Sequence, residues 1–197
     1  MNMKYILASG SPRRKELLSK VVPQYEVIPA VGEEVTSSSK PSDVVEELSF
    51  QKASEIFHKI FTNEAGRYVV IGADTVVSYK GRILGKPKDR EDAANMIRDF
   101  AGDTHAVYTG VTLFYVDEDG NEAHHTFHEE TLVDVEDMTE KEILDYVSTG
   151  EPDDKAGAYG IQGDFAIFIK GIKGDYYNVM GLPIARLYKE MKGKKIL

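Results

Sequence analysis

The sequence predicts an α/β fold in which a mixed, twisted sheet is flanked by helices around a central cleft. Three observations point to it. Tyr68–Ala73 is a β-branched run of the kind used by central strands. Turn signals at Lys80–Gly81 and Asp117–Gly120 lie between strand-like segments, so some neighbours must be antiparallel. Amphipathic helical stripes alternate with these strands along the chain, the pattern of a sheet with helices on its faces.

Taken in order, Tyr5–Ala8 reads as a short buried strand, after which Ser9, Gly10, Ser11 and Pro12 turn the chain into a helix. Ser11 is suited to the N-cap and Pro12 to the first helical position. A second strand is expected over Tyr25–Val31. A long helix follows from Pro41 to about Phe61, marked by Val45, Leu48, Ile56 and Ile60. The strand Tyr68–Ala73 is expected to end at Asp74, with Val76–Leu84 as a hairpin. Asp89 caps a helix over Arg90–Phe100, and Gly102 stops it. Two long strands, Thr104–Val116 and Asn121–Val135, surround the next turn. Thr139 and Glu142 form a capping box for a helix that ends before Gly150. Gly150–Gly163 reads as a loop, Phe165–Ile169 as a strand, and Leu182–Lys192 as a last helix. There is no internal repeat; Ser37–Lys40 is expected to be a surface loop, and Lys192, Lys194 and Lys195 a frayed polar end.

Composition narrows the functional classes. The chain has 197 residues, a length that suits one domain or two lobes around a cleft. Lysine and arginine total 24 against 33 aspartates and glutamates, a formal charge of −9. Such a field repels nucleic acid and anionic membrane, but leaves room for a small anionic ligand where a few cations converge. With no cysteine, disulfides and thiol catalysis are excluded. The apolar run Tyr5–Ala8 is too short for a signal peptide core or a membrane span, so a cytoplasmic location is the expectation.

Several residues could carry chemistry. Ser9–Arg14 joins a strand end, a small-residue turn and a helix start to two arginines, Arg13 and Arg14, an arrangement that attracts phosphate. No lysine follows a GxxxxG, so P-loop wrapping is not implied. Lys52 shares a helical stripe with Leu48 and Ile56 and should point inward, where it needs an anion. Asp74 places a carboxylate beside the expected crevice, and with Glu33 and Glu34 it could supply oxygens to magnesium. Lys86 stands on the restricted turn Gly85–Lys86–Pro87. Asp153–Gly163, reading DDKAGAYGIQG, combines glycines with Lys155 and Gln162 and suits close approach to a ligand. Gln162 can both donate and accept, as the edge of uracil or thymine requires. His124, His125 and His128 lack an HExxH glutamate and read as a solvated strand face rather than a zinc site.

These segments, in order, resemble the Maf family: SGSPRR at 9–14, Glu33 with Glu34, QKA at 51–53, GADTVV at 72–77, GKP at 85–87, DKAGAYGIQG at 154–163 and GDYYNVMGLP at 174–183. The resemblance implies a nucleoside triphosphate pyrophosphatase with an elongated, two-lobed fold related to inosine triphosphatases. It places the proton acceptor on Asp74, substrate choice on Arg13, Thr75 and Gln162, and phosphate-binding cations on Arg14, Lys52, Lys86 and Lys155. Thr75 after the aspartate resembles the subgroup acting on dTTP and UTP. A divalent cation, magnesium or manganese, is expected between the triphosphate and Asp74 with Glu34. The resemblance also implies a homodimer and a link to arrest of septum formation. The alternative is a nucleotide-binding regulator without turnover; a sugar-nucleotide enzyme would need a second substrate.

Overall fold

The computed structural model describes residues 3–61, 67–117 and 119–197. β1 (Lys4–Leu7) runs parallel to β2 (Glu26–Val27) on one side and to β3 (Tyr68–Tyr79) on the other. β5 (Thr104–Val116), β6 (Glu122–Val135) and β7 (Ile169–Lys173) extend the sheet antiparallel from β3. β4 (Arg82–Leu84) folds back on the end of β3, so the seven strands run β2-β1-β3-β5-β6-β7 with β4 beside β3. This mixed sheet between helices is the fold class the sequence predicts.

Alternation of side chains along β3 divides the core in two. Val69, Ile71, Ala73 and Val77 face a large cluster with Leu17 of α1 (Pro12–Leu18), Ile97 of α3 (Arg90–Phe100), Ile143 of α4 (Glu140–Ser148) and Leu187 of α6 (Ile184–Gly193). Val70 and Val76 face the opposite way, onto Ile56, Phe57, Val44 and Leu48 of α2 (Pro41–Phe61). Two glycines bring α2 down onto the sheet. A Cβ on Gly72 would fall 2.3 Å from the Ser49 carbonyl oxygen, and one on Gly110 would fall 2.2 Å from that of Val45. Only bare backbone at both positions permits this approach.

The caps form as their chemistry dictates. The Asp89 carboxylate accepts from Asp92 N–H at 2.8 Å, and Thr139 and Glu142 close their capping box. Four expectations need correction. The second strand shrinks to Glu26–Val27. β3 continues through Asp74 to Tyr79, because Val76 and Val77 give the strand apolar partners on both faces. Gly150–Gly163 is not plain loop: Glu151–Asp154 and Ala156–Ala158 form 3-10 turns. Phe165–Ile169 is not a strand; Asp164–Phe168 is a 3-10 turn, β7 starts at Ile169, and α5 (Tyr176–Met180) follows. Glu118, within the expected turn Asp117–Gly120, lies outside the described residues.

Candidate active site

β1 pairs with β3 only as far as Leu7 opposite Ile71, and β4 takes up the same edge at Val77. Between these points Gly72–Val76 pairs with β5 alone. The chain leaves β1 at Ser9–Ser11 and enters α1 there, so a crevice opens beside an interrupted sheet edge, the usual ligand position in open α/β sheets. The result is a cleft of about 780 Å³. Asp74 and Thr75, though consecutive and on opposite faces, both reach it because it lies at the edge.

Asp74 is 8% exposed and faces α2, where the Lys52 ammonium meets its Oδ1 at 2.6 Å. The same ammonium meets Glu34 Oε1 at 2.9 Å. Lys52 therefore points inward, and two carboxylates offset its desolvation. On the other face, Arg14 donates from Nη2 to Thr75 Oγ1 at 2.9 Å, from Nη1 to Ser9 Oγ at 3.3 Å, and from Nε to the Gly181 carbonyl at 2.9 Å. Burial pulls this guanidinium below its usual pKa, while the negative charge of Asp74 acts in the opposite sense. Thr75 in turn shares a 2.9 Å hydrogen bond with Thr109, whose hydroxyl donates to the Asn178 carbonyl at 2.9 Å. Arg14 is thus partly scaffold: three of its N–H groups are bound within the protein, leaving two of the usual five for a ligand.

Ser9, Ser11, Arg13, Arg14, Lys52, Lys86 and Lys155 all line this cleft together with Glu34, Asp74 and Thr75. Residues 4–194 match the Maf-like protein family. The chain belongs to the Maf family. This Maf chain is 54% identical over 195 residues to a dTTP/UTP pyrophosphatase from Agathobacter rectalis, covering 95% of each. It is 51% identical over 190 residues to a dTTP/UTP pyrophosphatase from Bacillus cytotoxicus, covering 96% of this chain and 94% of that one. In fold it is similar to a HAM1 protein from Coxiella burnetii, with a TM-score of 0.53 and 12% identity over 98% of this chain and 100% of that one.

Two expected residues of the Maf pattern fall outside the main cleft. Gln162 is exposed and lines an adjoining hollow of about 290 Å³, which Arg13 and Lys155 share with the cleft. Glu33 is exposed and lines neither space; of the adjacent glutamates only Glu34 reaches the site. Lys155 donates to the Glu151 carbonyl at 2.7 Å and pairs with Asp154 at 2.8 Å, and its hydrogen bond lowers the Asp154 pKa. A bond from Gly157 N–H to the Gly85 carbonyl, 3.0 Å, ties this glycine-rich segment to the turn that carries Lys86.

Among the described residues no three His, Cys, Asp or Glu side chains gather as a metal-binding group. The three strand histidines go separate ways: His124 stacks on Phe114, His125 meets Glu190 at 2.8 Å, and His128 meets Glu46 at 2.6 Å. Sequence reasoning missed Thr109 and Glu151. Thr109 carries no local signal, and only the register Thr75 opposite Thr109 brings it to the site.

Proposed function

We propose that this chain is a nucleoside triphosphate pyrophosphatase that cleaves dTTP and UTP to the monophosphate and pyrophosphate. The observation that carries the reading is the convergence of Asp74 and Glu34 on Lys52 inside a cleft that also collects four further cations. Arg13, the free N–H groups of Arg14, Lys52, Lys86 and Lys155 hold the triphosphate, and Gln162 with Thr75 and Arg13 selects the pyrimidine. Preorganised positive charge facing a developing phosphoryl charge is the dominant contribution in such transfers. Asp74 accepts the proton of the attacking water as its oxygen bonds the α-phosphorus. The bond from that phosphorus to the bridging oxygen breaks, and pyrophosphate leaves with its electron pair. Lys52 must turn from Asp74 toward the phosphates for that carboxylate to serve as base.

A divalent cation fits this donor set. Asp74 Oδ1 and Glu34 Oε1 both lie on one ammonium, at 2.6 and 2.9 Å, so one small cation can reach both carboxylates. Oxygen donors without nitrogen or sulfur suit magnesium or manganese, whose remaining positions phosphate and water fill. Bound there, the ion would neutralise phosphate charge beside the scissile bond. Glu33, exposed beside Glu34, has no such access.

The reading extends to the whole chain as one unit with two lobes around the cleft, to a cytoplasmic homodimer, and to a part in septum arrest through the same pocket. The test is pyrophosphate release from a panel of dTTP, UTP, CTP, dATP and GTP, with and without magnesium or manganese. Turnover of dTTP and UTP that depends on the metal is expected. Tight binding of these nucleotides without release would favour the regulator and overturn the enzymatic reading.

A further inference from the structure

We propose that Glu151 is a positioning residue for pyrimidine recognition, because its carboxylate clamps the turn that presents Gln162. The inference rests on the pyrophosphatase reading for its substrate, but its geometry stands apart from Asp74 and Lys52. α4 ends at Ser148, and Gly150, at φ 78°, swings the chain so that Glu151 opens a 3-10 turn. Its side chain then meets two donors. Asp164 N–H donates to Oε2 at 2.7 Å, and the Tyr146 hydroxyl donates to Oε1 at 3.0 Å.

What it holds is a four-residue turn. Gly163 N–H donates to the Gly160 carbonyl at 3.2 Å, which closes a β-turn with Ile161 and Gln162 at its centre. Both ends of that turn wrap the Glu151 carboxylate. A Cβ on Gly163 would fall 2.1 Å from Oε2, and one on Gly160 would fall 3.1 Å from Oε1. The two glycines of the GIQG segment therefore leave room for a carboxylate. Ile161 is buried and pins one central position, whereas Gln162 is exposed and lines the same hollow as Glu151. An exposed glutamine can discriminate a base edge only if its backbone is fixed. Here the fixing group is an acceptor on another segment, since the turn has no strand partner. The Glu151 backbone carbonyl also accepts from Lys155, so one residue orients a cation for the cleft and an amide for the hollow.

The test compares wild type with Glu151→Ala, Glu151→Gln and Tyr146→Phe. Each is measured for kcat and KM with dTTP, UTP and CTP, for dTMP affinity by calorimetry, and for amide exchange at Asp164. Loss of a charge-assisted hydrogen bond predicts that Glu151→Ala raises KM for dTTP and Kd for dTMP by roughly tenfold. Maximal turnover should stay within about threefold, preference for dTTP over CTP should narrow, and the Asp164 amide should exchange faster. Glu151→Gln should recover most of the affinity, since its amide oxygen can still accept from Asp164 N–H. Tyr146→Phe should give a smaller change in the same direction, and it keeps the test open if the alanine variant does not fold. Unchanged KM, dTMP affinity and selectivity in folded Glu151→Ala would overturn the inference, as would a parallel loss of kcat without any change in KM. Wild type that binds dTMP but releases no pyrophosphate would defeat the enzymatic reading alone, and the affinity comparison would still decide the role of Glu151.

Discussion

At the Asp74 end of the cleft Asp74 and Lys52 stand on β3 and α2, whereas at the Gln162 end Lys155 and Gln162 stand in the turns that link short 3-10 elements between α4 and β7. The first region is fixed by ladder pairing along β3 and by α2 packed on Gly72 and Gly110. The second is fixed by isolated contacts: Glu151 to Asp164, Tyr159 to His105, Gly157 to Gly85. On the proposed reading, the difference separates a rigid phosphate end from a base-recognition end that single contacts can adjust. Loops adjust at little cost to the core, whereas a reacting carboxylate must be held to a fraction of an ångström.

Four changes break or sharpen this contrast. The largest effect is expected from Asp74→Asn, which keeps the shape of the side chain but removes the base. Pyrophosphate release should fall by roughly 100-fold to 10,000-fold, with circular dichroism and thermal midpoint close to wild type. Full turnover would reject Asp74 as the proton acceptor. Lys52→Met comes next, with a loss of roughly 100-fold in kcat/KM for dTTP, as for removal of one preorganised charge donor. An equal loss in an exposed lysine variant such as Lys20→Met would show the effect to be unspecific.

Gly72→Ala attacks the scaffold rather than the chemistry. Its Cβ would lie 2.3 Å from one α2 carbonyl oxygen and 2.8 Å from the Ala53 nitrogen, so the helix must lift from the sheet. A stability loss of about 1–3 kcal/mol is expected from overpacking, measured by urea unfolding, with turnover falling as Lys52 moves from Asp74. A stable and fully active variant would show that the close approach of α2 is not needed.

The smallest effect concerns the recognition side and depends on pH. His105 is buried, its Nε2 lies 2.7 Å from the Tyr159 hydroxyl, and its Nδ1 has no hydrogen-bond partner. Burial lowers its pKa from 6.5 to about 4, with Asp134 acting weakly in the opposite sense. Because the folded value is depressed, the unfolded chain binds the extra proton first. Stability from this group is complete above pH 6.5 and declines as pH falls toward about 4, by up to about 1.4 kcal/mol per pH unit. The thermal midpoint of wild type should drop through that window, and His105→Phe should flatten the slope. A slope unchanged in the variant would assign the acid sensitivity to other groups.

Much of the scaffold was legible because its signals were local. The helix from Pro41 shows its apolar stripe, Thr139 and Glu142 write their own cap, and Lys52 betrays its inward direction through Leu48 and Ile56. Phe165–Ile169 misleads because its apolar content resembles a strand, yet its burial repeats every three residues. Phe165 packs against Phe168, while Ile167 is 79% exposed. That spacing belongs to a 3-10 turn, where i and i+3 eclipse. Glu151 could not be seen, since its partners lie five residues back at Tyr146 and 13 residues on at Asp164, and its space is made by glycines that look like ordinary turn residues. Asp74 was legible as a polar intruder in an apolar run, but its place in mid-strand depends on β4 and β5 pairing beyond it.

The alternation of Asp74 and Thr75 across β3 also sets what the chain can tolerate in length. Deletion of Ala73 or Asp74 would turn every later side chain of the strand to the other face and deliver Thr75 where Lys52 waits for a carboxylate. Such deletions should abolish turnover, since the carboxylate face and the threonine face of the strand must stay in register.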